Sequence, residues 1–68
     1  MELIVNGSER DFPGVAMLDQ LIERLDLLDS PAGIAVAVNN TVVPREEWSG
    51  LRLERGDAIE VIHAVQGG

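Results

Sequence analysis

The residues with the most evident chemistry stand at the end of the chain: Ala64-Val65-Gln66-Gly67-Gly68. They follow directly on an apolar run, Ala58-Ile59-Glu60-Val61-Ile62-His63-Ala64-Val65. A strand that ends in two glycines and a free carboxylate points to a carboxylate that is meant to be reached. Glycine has no Cβ, so an enzyme can take it through a narrow slot and approach its backbone closely. The carboxylate is an anion at neutral pH and a poor electrophile. It reacts only after activation, for example as a mixed anhydride with AMP. Chain ends are often frayed and glycine-rich, and average glycine usage alone gives two terminal glycines in about 0.5 per cent of chains. The ending is therefore read together with what precedes it.

Other chemistry is sparse, and that narrows the function. The 68 residues contain no cysteine, which excludes disulfides and thiolate metal sites. His63 is the single histidine, and it holds no metal unless several carboxylates converge on it. As a base it lacks a Ser, Cys or carboxylate partner that the sequence can nominate. All five cations are arginines, so no side-chain amine is present for a Schiff base or an isopeptide bond. The net charge of −7 repels phosphate backbones and argues against nucleic acid. It favours partners with basic docking surfaces. No segment has the length of a membrane span, and the start Met1-Glu2-Leu3-Ile4-Val5-Asn6-Gly7 lacks the pattern of a signal peptide. The cytoplasm is the expected compartment.

A chain this short buries only about 60 per cent of its unfolded surface, so one small aliphatic core must position the reactive end. Leu3-Ile4-Val5 is a short β-branched run that stops at Asn6-Gly7, a strong hairpin signal because both turn positions favour positive φ. Ser8–Phe12 reads as a polar return strand, suited to a sheet edge, and Pro13-Gly14 closes it. The segment Val15–Leu28 reads as the helix, with Leu18, Leu21, Ile22 and Leu25 at i, i+3, i+4 and i+7 on one stripe. Its start lacks a good cap, because Ala16 stands where Ser or Thr is expected. Asp29-Ser30-Pro31-Ala32-Gly33 is the exit loop.

Ile34-Ala35-Val36-Ala37-Val38 alternates large and small apolar residues. The large ones suit the helix; the alanines either lie in a strand buried on both faces or form a docking surface. Asn39-Asn40 makes a turn, and Thr41-Val42-Val43 returns from it. Pro44-Arg45-Glu46-Glu47-Trp48 is a turn or short helical segment, in which Trp48 either covers one end of the core or anchors a partner. Leu51 and Leu53 pack inward, and Arg55-Gly56-Asp57 turns the chain into the last strand. There His63 is expected half-exposed, in reach of a partner.

The order strand, strand, helix, strand, short strand, strand is that of the ubiquitin-like β-grasp fold. The expected class is α+β: a mixed four- to five-stranded sheet with one main helix on one face, a single domain over residues 1–68 with a flexible tail at 65–68. The second half resembles the ThiS family of sulfur carriers in thiamine biosynthesis. The resemblance rests on Val36-Ala37-Val38-Asn39, then Val42-Val43-Pro44-Arg45 and Trp48, then Gly56-Asp57, an apolar strand and Gly67-Gly68, and it extends over the whole chain. Asn40 stands where many relatives carry glycine.

This resemblance implies a carrier and not an enzyme. An E1-like adenylyltransferase (ThiF-like) would adenylate the Gly68 carboxylate, using ATP and Mg. Sulfur from a cysteine desulfurase system would then make a Gly68 thiocarboxylate, and a thiazole synthase (ThiG-like) would take up that sulfur. The carrier itself would bind no cofactor. Gly67, Gln66 and Val65 would thread into the partner active sites, with Ala35, Ala37 and His63 as candidate docking residues. A molybdopterin synthase small subunit shares the fold and ending but tends to be longer, and other thiocarboxylate sulfur carriers, serving amino-acid or metabolite pathways, are a further alternative. A ubiquitin-like tag and a plain β-grasp interaction domain are the readings from other classes.

Overall fold

A computed structural model of the chain describes residues 1–26 and 33–63. β1 (Glu2–Val5) and β2 (Ser8–Asp11) form a hairpin. α1 (Leu18–Arg24) follows, then β3 (Ile34–Val38), β4 (Thr41–Val43), a 3₁₀ segment (Arg45–Gly50) and β5 (Ala58–His63). The strands make one sheet in the order β2-β1-β5-β3-β4. β5 lies in the middle, parallel to β1 and antiparallel to β3. This is the expected mixed sheet with one main helix. No helix among the described residues is long and apolar enough to cross a membrane.

Both hairpin turns follow from asparagine chemistry. Asn6 and Gly7 have φ of 49° and 82°, and Asn39 and Asn40 have 50° and 69°. Two successive positive φ values match the right-handed twist of the strands they join. Asn39 also works beyond its own turn. Its Nδ2 donates to Asp57 Oδ1 at 3.0 Å, and its Oδ1 accepts from Ala58 N at 3.0 Å. Asp57 Oδ2 in turn accepts from Glu54 N at 2.8 Å. The turn before β5, with Gly56 at φ 87°, is thereby tied to the β3–β4 hairpin.

The helix differs from the sequence expectation at its start. It begins at Leu18, not near Val15, and Met17 is its N-cap. Residues before it are held extended: Met17 bridges Arg52, and Leu53 N donates to Ala16 O at 2.8 Å. The cap comes from inside the helix, where Gln20 Oε1 accepts from Ala16 N at 2.8 Å and Met17 N at 2.9 Å. A side chain at N3 reaching back satisfies donors that a Ser or Thr would otherwise leave free. Leu27 and Leu28 lie outside the described residues.

One core gathers the apolar faces. Leu18, Leu21 and Ile22 of α1 meet Leu3 and Val5 of β1, Val36 of β3, and Ile59 and Val61 of β5. Phe12, Val15, Trp48 and Leu53 close its ends from the connecting segments. Of the two readings of Trp48, the structure has the core cover. The ring is buried and its Nε1 donates to Val43 O at 2.9 Å, while Arg45 stacks over its face at 5.4 Å.

Candidate functional site

Alternation along each strand, with the pairing register, divides the sheet into two faces. Val5, Val36, Val61 and Ile59 face the helix with the core. The opposite face carries Glu9 and Asp11 of β2, Glu2 and Ile4 of β1, Ala58, Glu60 and Ile62 of β5, Ala35 and Ala37 of β3, and Val42 of β4. Two large apolar side chains stand in the open there, Val42 at 69% and Ile62 at 57% exposure. Ile62 pairs with Ala35, and Ala37 lies between Glu60 and Val42. The alanines thus form a low floor between two raised apolar residues, which are two strands apart and offset by two residues along them, roughly 12 Å in all. The β1–β2 half of the same face is acidic through Glu2, Glu9 and Asp11. An apolar patch with an acidic flank fits a partner surface that is apolar at its centre and basic at its rim.

The candidate docking residues do not share one surface. Ala35 is exposed and Ala37 is buried, shielded by its neighbours although it lies on the open face. His63 is exposed but pairs with Ile34, so it stands on the helix side. There it lines a shallow concavity with Val5, Asn6, Ser8, Arg10, Leu25 and Val61. Sequence reading passed over Val42 and Ile62. The signal was present as a break in alternation, since Ile62 follows Val61 and Val42 precedes Val43 with no polar residue between.

Val65, Gln66, Gly67 and Gly68, the candidate threading and modified residues, lie outside the described residues. The structure describes the strand that leads to them. Ile62 and His63 end β5, so the exposed apolar patch borders the point from which residues 64–68 continue. Among the described residues no group of three or more His, Cys, Asp or Glu could hold a metal ion.

The ThiS family model matches residues 3–68. The sulfur carrier protein ThiS of Escherichia coli is 31% identical over 68 residues, covering the whole of both chains. A thiazole synthase of Paramagnetospirillum magneticum is also 31% identical over 68 residues, and the chain there spans 20% of the longer protein. The crystal structure of a thiamine biosynthesis protein (ThiS) from Geobacter metallireducens superposes with a TM-score of 0.82 at 27% identity over the full length of both chains. The solution structure of a thiamine biosynthesis protein from the same organism gives 0.78 at 27% identity, covering all of this chain and 88% of that one.

Proposed function

The chain belongs to the ThiS family, and from that premise we propose that it is a sulfur carrier of thiamine biosynthesis whose working group is the Gly68 carboxylate. The observation that carries the proposal is that the family match runs through residue 68 and so includes Gly67 and Gly68. An adenylating partner of the ThiF type joins the carboxylate to AMP from ATP and Mg, with loss of pyrophosphate. A persulfide, its outer sulfur supplied ultimately from cysteine by a desulfurase, attacks the acyl adenylate and expels AMP to give an acyl disulfide; a second thiol then cleaves the sulfur–sulfur bond, releasing the Gly68 thiocarboxylate and leaving a disulfide on the donor side. A thiazole synthase takes that sulfur. The thiazole synthase relative, of which a fifth is similar to this entire chain, supports the pairing of carrier and synthase.

Apart from the Gly68 carboxylate, which attacks the α-phosphorus of ATP, the carrier contributes no general acid or base to these steps. It contributes binding energy through its body, which brings the end of the chain into place and replaces a chance encounter with a directed one. Val65, Gln66 and Gly67 are the segment that enters the partners, and the Val42–Ile62 face is the surface that docks.

The test is the intact mass of the protein after incubation with the adenylating partner, ATP, Mg and a cysteine-derived sulfur source. The expected product carries one sulfur in place of one oxygen, mapped to the C-terminal peptide. An unchanged mass and no AMP adduct with a competent partner would exclude the reading.

Ile62→Glu tests the docking face. Ile62 is exposed and outside the core, so the variant should fold with nearly unchanged stability. A charge placed at the centre of an apolar contact should weaken partner binding by roughly thirtyfold or more, the effect of losing a hot-spot residue. Titration calorimetry against the adenylating partner reads this directly, and wild-type affinity would move the docking site elsewhere.

A further inference from the structure

The two edges of the sheet are built differently. β2 is Ser8-Glu9-Arg10-Asp11, exposed throughout and mostly charged, as suits an edge that resists pairing. β4 is Thr41-Val42-Val43, with no charge along it. The register shows which of its backbone groups are unpaired. Asn39 N donates to Ala58 O at 2.8 Å, and the hydrogen-bonded positions of an antiparallel ladder recur at every second residue. Ala37, opposite Glu60, therefore turns its N–H and C=O toward β5. Val42 lies opposite Ala37 on the other side, so its own N–H and C=O point away from β3, out of the sheet. Among the described residues no strand lies beyond β4, and no loop or side chain bonds to Val42. Val43 O, next to it, accepts from Trp48 Nε1 at 2.9 Å, which pins the end of the edge. The Val42 side chain is itself 69% exposed, on the open face of the sheet.

We propose that β4 is an acceptor edge: on docking, an exposed strand of the adenylating partner adds to it and takes both main-chain groups of Val42. The proposal rests on the sulfur-carrier reading. The edge is continuous with the Val42–Ile62 face, so one partner surface can pair with the edge and cover that face together. A second copy of the chain would bring a net charge of −7 against another −7, and like net charges keep proteins apart. Strand addition supplies affinity through main-chain bonds and registry through the side chains that alternate along the added strand. Registry of this kind suits the adenylating partner. Its acyl adenylate is a mixed anhydride open to water, so the carrier must stay seated from adenylation until sulfur has displaced AMP. The edge is short and is followed by Pro44, which has no N–H to offer. It therefore accepts a short strand and does not propagate a sheet.

The first readout is amide hydrogen exchange at Val42. In the protein alone this group should exchange as an unprotected amide; in complex with the adenylating partner its exchange should slow at least about tenfold. The second readout is the affinity of Val42→Pro and Val42→Ala for that partner, by titration calorimetry. Proline keeps more apolar surface than alanine, so side-chain contact alone predicts that Val42→Pro binds at least as tightly. Proline also removes the outward N–H, a change that a sheet edge tolerates. Strand addition predicts the reverse order, with Val42→Pro about tenfold or more weaker than Val42→Ala. Should Val42→Pro fail to fold, an ester in place of the Thr41–Val42 amide, introduced by chemical synthesis, removes the same donor and leaves every side chain intact. It should bind about tenfold more weakly than the unaltered protein. Equal exchange at Val42 in the free and bound protein, or Val42→Pro binding as tightly as Val42→Ala, overturns the acceptor edge; pyrophosphate release with the unaltered protein then shows that the carrier reading stands. Protection of Val42 in the protein alone that grows with concentration gives the edge to a second copy and overturns the proposal. No adenylation of the unaltered protein by a competent partner overturns the carrier reading and this proposal with it.

Discussion

Removal of Gly68 alone will abolish thiocarboxylate formation and leave the fold untouched. Among the described residues, those of the buried core lie between Leu3 and Val61, and the deletion removes none of them. The melting temperature and the amide spectrum of residues 1–63 should be those of the intact protein, while sulfur transfer, read as intact mass, falls below detection. Gly67→Val divides the same question more finely. A β-branched side chain stiffens the backbone and fills a slot that admits only bare main chain. This folded variant should be adenylated at least about a hundredfold more slowly, in line with the cost of misplacing a reacting group by an ångström. Normal adenylation of Gly67→Val would refute the narrow slot, and normal sulfur transfer without Gly68 would refute the carrier.

The second large effect concerns stability. Trp48→Ala removes a ring that is only 3% exposed, and truncation of a buried tryptophan costs about 3–5 kcal/mol. A domain of this length has about 3–10 kcal/mol in total, at ~0.05–0.15 per residue. With no cysteine there is no disulfide to share the load. Trp48→Ala should therefore be largely unfolded at 37 °C, as followed by far-UV circular dichroism in urea. Trp48→Phe retains most of the burial and loses the donor to Val43 O, which should cost about 1–3 kcal/mol through the carbonyl left unpaired. A cooperative transition of Trp48→Ala close to that of the wild type would show that the ring does not bear on the core.

The parts of this fold that local chemistry determines were legible in the sequence. Asn6-Gly7 and Asn39-Asn40 marked both hairpins, because few residues tolerate positive φ. The stripe Leu18, Leu21, Ile22 and Leu25 marked the helix. Its first residue was misplaced because the deciding contacts are not local: Met17 is drawn into a bridge with Arg52, and Gln20 caps from within. The exposed apolar face depends on strand register, which brings Ile62 beside Ala35 and Val42 beside Ala37. A period of two along one strand does not disclose its neighbours. A bond from Val61 N to Asn6 Oδ1 joins residues 55 apart, and only the parallel pairing of the first and last strands reveals it. The reading of the Gly67-Gly68 end comes from the sequence alone, since those residues lie outside the described ones.

The central place of β5 has a mechanical consequence. A partner that grips the end of the chain and draws it inward pulls on a strand flanked on both sides, by β1 and by β3. Force along such a strand loads its ladder bonds in shear, many at once. Force on an outer strand such as β2 or β4 would peel bonds one at a time. On the carrier function proposed above, the sheet order would let the end of the chain be hauled into a tight enclosure, and released from it, without unzipping the body to which it is attached.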